Sequence, residues 1–190
     1  MISLFKLFRF LGPTLLFFGT FVVLPPIVLS YFNNILDTQM LNIYLACIGY
    51  SVIIFFTLRK RKFSYTPKDG FVITFLTWVI ISLLASIPFQ NANMVFYDAL
   101  FEAVSGLTTT GSTVIKDLSQ LPDHILLYRQ LLQWAGGVGL VIVVLAIIPA
   151  VSGGMRVLQA ETSGFADKSF SPRLRETARS LLKFYFLITI

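Results

Sequence analysis

Threonine, glycine and serine crowd into one run, Val104-Ser105-Gly106-Leu107-Thr108-Thr109-Thr110-Gly111-Ser112-Thr113-Val114. Such a run is equipped to hold a cation. Backbone carbonyls turned inward replace a cation's hydration shell, and threonine hydroxyls add further oxygens. Threonine and glycine both disfavour a helix interior, so the run predicts a short helix going down and an extended return. Non-helical backbone at membrane depth survives only where it is buried in protein or lines a watery cavity. The run therefore reads as one wall of a monovalent-cation filter. Gly111 suits a backbone that alternates conformation and approaches an ion closely, since it lacks a Cβ; an ordinary turn glycine is the alternative. For Thr108, Thr109, Thr110 and Thr113 the alternative is a hydroxyl bonded to nearby backbone.

The elements that must position this run are greasy. Of the 190 residues 56% are hydrophobic and 13% charged, with 19 phenylalanines, and the mean hydropathy is +0.80. Soluble domains are nearer a quarter charged, so this is an integral membrane protein. The net charge of +6 raises nucleic-acid binding as a competing reading. The basic residues, however, cluster at the ends of apolar segments, which excludes it. The single cysteine, Cys47, lies in an apolar segment and reads as a small buried hydrophobe, with no disulfide framework and no cysteine metal site.

Leu11 to Phe32 is long enough to span a bilayer, and Pro25-Pro26 predicts a kink or local unwinding in it. Lys6 and Arg9 ahead of it resemble the start of a signal peptide. The apolar stretch is longer than a signal core and no small-x-small cleavage site follows, so a retained helix is expected. Asn33 to Met40 is a polar turn, and Leu41 to Leu58 returns across the membrane to end at Arg59-Lys60-Arg61-Lys62. That basic run reads as a topology signal, with contact to lipid headgroups or a partner as the alternative. Phe71 to Pro88 is the third crossing, and Met94 to Leu107 is too short to span, as a pore helix would be. Ile125 to Pro149 is the last full crossing and carries Gly136-Gly137-Val138-Gly139, read as close packing or bending, with a gating hinge as the sharper alternative. A polar segment follows through Arg179, and Leu181 to Ile190 begins another apolar run. Ten residues cover only about half a bilayer, so the chain is expected to be a fragment.

With a cytoplasmic N-terminus, the basic connections 59–69 and 152–183 lie inside, as the positive-inside rule requires. The outer loops then carry Asp37, Asp98, Glu102, Asp117 and Asp123. These acids either concentrate cations at an outer mouth by focusing field or simply reflect loops that avoid lysine and arginine. Glu102 and Arg129 sit where charges are expensive unless paired, and are expected to pair and brace the pore helix against the next helix. His124, at a loop–helix junction, is expected to be a capping or exposed residue, with proton coupling the alternative. An intramembrane enzyme would need a nucleophile beside a base, and Ser105 with a distant His124 and no G-x-S-x-G pattern does not supply one. No enzyme is expected.

Three motifs carry a resemblance. They are Phe101-Glu102-Ala103-Val104-Ser105-Gly106-Leu107-Thr108-Thr109-Thr110-Gly111-Ser112-Thr113-Val114-Ile115, then Tyr128-Arg129-Gln130-Leu131-Leu132-Gln133-Trp134-Ala135-Gly136-Gly137-Val138-Gly139, and Ser171-Pro172-Arg173-Leu174-Arg175-Glu176-Thr177-Ala178. In this order they resemble the Trk/Ktr/HKT superfamily of potassium transporters, nearest its bacterial TrkH-type subunit. The resemblance implies an all-α integral membrane fold, a potassium-channel-like helix–pore-loop–helix repeat preceded by two transmembrane helices. It would place the leading pair at 1–66, the first repeat at 67–150, and a cytoplasmic linker with the start of a second repeat at 151–190.

The family's four unlike repeats surround one pore. Within that scheme the carbonyls of Thr109, Thr110, Gly111 and Ser112 would face the potassium ion, with Thr108 and Thr113 as further contributors and Glu102 and Arg129 as structural support. Potassium would be the substrate and no covalently bound cofactor is expected. Family members form homodimers in the bacterial inner membrane and bind a cytosolic nucleotide-sensing regulatory subunit. One repeat supplies a quarter of a filter, so the alternative for this chain is a non-transporting remnant or a subunit that contributes one repeat.

Overall fold

The computed structural model describes residues 4–61, 67–139 and 170–189. Contacts divide the chain into two compact units, Met1–Gly136 and Gly137–Ile190. Among the described residues the ordered elements are helical. Three helices of the described residues are long and apolar enough to cross a membrane: Leu4–Phe32 (α1), Thr38–Leu58 (α2) and Asp69–Asn91, the apolar part of α3 (Pro67–Asn91). The short helix Phe96–Leu107 is α4, and α5 spans 123–139. The last crossing was expected to reach Pro149; residues 140–149 lie outside the described residues.

α1 does not unwind at Pro25-Pro26. The two prolines lack the N–H groups that would close the preceding turn, and a π-helical turn, Gly19–Val23, takes up the mismatch by bonding the Leu24 N–H to the carbonyl of Gly19. The chain turns at Asn33 and Asn34, where Asn34 adopts φ 58°, a left-handed end that asparagine tolerates. Asp37 then starts α2 by accepting the amides of Gln39 and Met40, both at 3.0 Å.

α1 and α2 pack as a hairpin through small residues. Gly19 brings α1 against Cys47, whose Cβ lies 3.2 Å from where a glycine Cβ would sit. The Ser51 hydroxyl donates to the carbonyl of Gly12 at 2.8 Å. Without a hydrophobic drive between helices in lipid, close backbone approach and such hydrogen bonds carry the association. Cys47 is buried, as expected for a small hydrophobe. At one end of the hairpin Lys6 pairs with Asp69 of α3 at 2.8 Å, and Arg9 donates to the carbonyls of Leu58 and Arg61. At the other end the His124 imidazole lies 3.6 Å from the Asp37 carboxylate. His124 is therefore buried against the α1–α2 turn rather than exposed. Replacing Asp37 by alanine removes both the helix cap and this contact. Thermal melting of the chain should show a loss of about 1 kcal/mol or more, the usual worth of such a cap.

In the second unit, α6 runs over Phe170–Thr189. It begins well before the apolar run at Leu181, and Pro172 falls in its first turn, where a missing N–H costs nothing. Leu181, Phe184, Leu187 and Ile188 are exposed along its end.

Candidate cation filter

α4 is a twelve-residue helix, far short of a span, and it leads straight into the Thr/Gly run. Its last carbonyls fold the run back on themselves. The Ser105 carbonyl accepts the amides of Thr110 (3.0 Å) and Gly111 (3.3 Å), and the Gly106 carbonyl accepts that of Thr109 (3.0 Å). The turn demands left-handed backbone at Thr109 (φ 58°) and at Gly111 (φ 75°). Glycine adopts this without cost, whereas a β-branched threonine does so only under strain of about 1–3 kcal/mol that the surroundings must hold. From there the chain leaves without regular secondary structure. Residues 108–114 are exposed, and a Cβ at Gly111 would meet nothing within 4 Å.

Behind the run sits Glu102, fully buried in α4. One carboxylate oxygen accepts from Arg129 Nε at 2.9 Å; the other accepts from the Thr113 hydroxyl at 2.5 Å and the Val114 amide at 2.8 Å. Arg129, on α5 and only 5% exposed, reaches past Glu102 to donate from Nη2 to the Gly111 carbonyl at 3.1 Å. The Ser105 hydroxyl donates to the Ser112 carbonyl at 2.6 Å. The two residues expected to give structural support thus clamp both limbs of the loop, the turn at Gly111 and the returning segment at Thr113 and Val114.

Of the four carbonyls expected to face an ion, those of Gly111 and Ser112 carry these protein donors, while those of Thr109 and Thr110 accept none among the described residues. The Thr108 hydroxyl donates to the Val104 carbonyl and lies 2.8 Å from the Thr110 hydroxyl. Thr113 is occupied on both sides: it donates to Glu102 and accepts the Ile115 amide at 3.0 Å. That local bonding is the alternative already open for threonines in such a loop.

The acids of this end do different work. Asp37 and Glu102 are committed to caps and pairing, which leaves Asp98, Asp117 and Asp123 exposed. The Ser119 hydroxyl and amide, with Gln120, hold the Asp117 carboxyl below its usual range. Its hold on the Leu118–Gln120 turn is therefore present at neutral pH and lost as pH falls through that lowered value.

α5 stays close because of its glycine. A Cβ at Gly136 would overlap the backbone carbonyl of Leu107, the last residue of α4. This gives Gly136 a packing role at the base of the Thr/Gly loop. The sequence pattern held no sign of which glycine met which backbone. Gly136→Ala should cost about 1–3 kcal/mol in a thermal melt, because a backbone carbonyl cannot swing aside. Gly49→Ala, at a helical site with nothing within 4 Å, should be neutral or slightly stabilising.

A family model described as "TrkH: Cation transport protein" matches residues 36–190. The chain belongs to the TrkH family. It is 35% identical over 190 residues to the Trk system potassium uptake protein TrkH of Vibrio parahaemolyticus, covering 97% of this chain and 39% of that protein. It is 33% identical over 187 residues to the TrkH protein of Salmonella typhimurium, and 36% identical over 176 residues to the Trk system potassium uptake protein TrkG of Escherichia coli. These alignments cover 96% and 88% of this chain, and 39% and 36% of those relatives. The crystal structure of the potassium transporter TrkH from Vibrio parahaemolyticus superposes with a TM-score of 0.72 at 31% identity, over 97% of this chain and 37% of that one. The chain thus spans about two fifths of the TrkH proteins it matches. As a TrkH-family chain with three apolar spans among its described residues it is a multi-pass membrane protein.

Proposed function

We propose that this chain forms one wall of the selectivity filter of a Trk-type potassium uptake protein. The observation that carries the reading is the strained turn over Thr109 to Gly111, buttressed from behind by Glu102 and Arg129 and open in front. Potassium is the substrate and no resident cofactor is needed. The carbonyls of Thr109 and Thr110 are the most available ligands. Those of Gly111 and Ser112 keep a second lone pair for the ion while Arg129 and Ser105 hold them in place. The hydroxyl of Thr108 is the remaining contributor, and Thr113 serves the buttress instead. The C-terminal end of α4 points its partial negative charge at the same place, which favours a cation.

Transport across the bacterial cytoplasmic membrane fits a cytoplasmic N-terminus, since Lys6, Arg9 and Arg59 to Arg61 gather at one end of α1 and α2. A full-length assembly would be a homodimer with a cytosolic nucleotide-sensing regulatory subunit, and its business is ion passage rather than covalent chemistry. The test joins residues 1–190 to the remaining three fifths of Vibrio parahaemolyticus TrkH in a strain without potassium uptake. Growth at low potassium supports the reading. Failure of the hybrid to rescue, when it reaches the membrane and the intact Vibrio protein rescues, would favour a non-transporting role.

A further inference from the structure

Away from the filter, a groove of about 740 Å³ runs between α1 and α2 at their basic end. Gly12, Leu16, Val52 and Phe56 line it, and Arg9 and Arg59 stand in its wall. We propose that it binds one anionic phospholipid, the phosphate on the two arginines and an acyl chain in the groove. The volume falls within the roughly 300–1,000 Å³ of sites that hold a small molecule.

The chemistry of the mouth favours an anion. Arg9 donates to the carbonyls of Leu58 and Arg61, so the partial negative end of α2 is covered rather than turned toward the site. Arg59 is exposed, its guanidinium 5.8 Å from the centre of the Phe55 ring, which stiffens a long side chain at the edge of an apolar surface. Lys60 and Arg61 follow, both exposed, and Asp69 at this end is already paired with Lys6. Basic pockets between membrane helices at the cytoplasmic side suit anionic headgroups. A second copy of the chain would meet the groove with the same cations and, among the described residues, no exposed acid at this end to answer them. The lipid reading does not depend on potassium transport. Orientation matters only for naming the leaflet.

Native mass spectrometry of the 190-residue chain released from detergent tests it. Palmitoyl-oleoyl phosphatidylglycerol and palmitoyl-oleoyl phosphatidylethanolamine are supplied in turn, with glycerol 3-phosphate as the chainless probe. One phosphatidylglycerol should stay bound, phosphatidylethanolamine should be retained at least about fivefold less, and glycerol 3-phosphate not at all. Arg59→Gln should lower retention about fivefold, the effect of one basic residue at an anionic surface. Val52→Trp should lower it with every charge intact, by filling the groove. Lys60→Gln should change it little. Equal retention of the two lipids, a loss with Lys60→Gln matching that with Arg59→Gln, or no effect of Val52→Trp would each overturn the proposal. So would a dimer that forms as lipid leaves.

Discussion

Arg129→Leu should destabilise the chain by about 3–5 kcal/mol, because it leaves the fully buried carboxylate of Glu102 without its cation. The loss should be visible in two ways. Thermal melting in detergent should fall far more than for the exposed-charge control Lys116→Leu, which should stay within about 0.5 kcal/mol. The Val114 amide, which donates to Glu102, should lose protection from hydrogen exchange as the returning segment comes free. Glu102→Leu with Arg129→Leu should recover much of the stability, since an apolar pair of similar volume replaces a desolvated ion pair at little cost. Stability should return without function in the hybrid transporter, because the Gly111 carbonyl and the returning segment still lack their donor and acceptor. If the double variant is no better than the single one, the two residues do not act as a pair. If Arg129→Leu melts like the control, the clamp has no energetic weight.

Gly111→Ala should leave folding and membrane insertion nearly unchanged while reducing potassium uptake by the hybrid about tenfold or more. The separation follows from the geometry. A Cβ at this position meets nothing within 4 Å, so no packing is disturbed. The backbone is another matter, since φ 75° costs an L-residue about 1–2 kcal/mol. The peptide relieves that strain by rotating, and rotation moves the carbonyls on either side. A misplacement of an ion ligand worth 1.4 kcal/mol is already a factor of about ten. Uptake measured with rubidium at matched membrane levels decides the matter, and normal uptake by Gly111→Ala would remove Gly111 from the filter.

The membrane class, the three spans, the half-length α4 and the Thr/Gly loop were all legible in the chain, because each depends on length and composition over a local window. The pairing of Glu102 with Arg129 was legible for a different reason. A charge in an apolar setting must find a partner, and few were on offer. What the pair does beyond pairing was hidden. That Arg129 also reaches Gly111 depends on how α5 is rotated against α4, and that the Thr113 hydroxyl turns back to Glu102 depends on how the loop folds onto α4. The same rotation puts Gly136 against the Leu107 carbonyl.

The burial of His124, expected to cap a helix or lie exposed, was hidden for the same kind of reason. Its partner, Asp37, is distant in sequence and is brought beside it by the packing of the α1–α2 turn on α5. The π-turn in α1 was half visible, since two prolines announce a defect in the hydrogen-bond ladder. Whether the helix unwinds or widens depends on the neighbour it packs against, here Cys47 beside Gly19. The sequence by itself determined the class of each stretch: long enough to cross, too short to cross, or rich in Thr and Gly and unfit for a helix. Tertiary structure decided which oxygens are tied down and which stay open, because the rotation of one packed helix against another is a property of the pair and is written in neither helix alone.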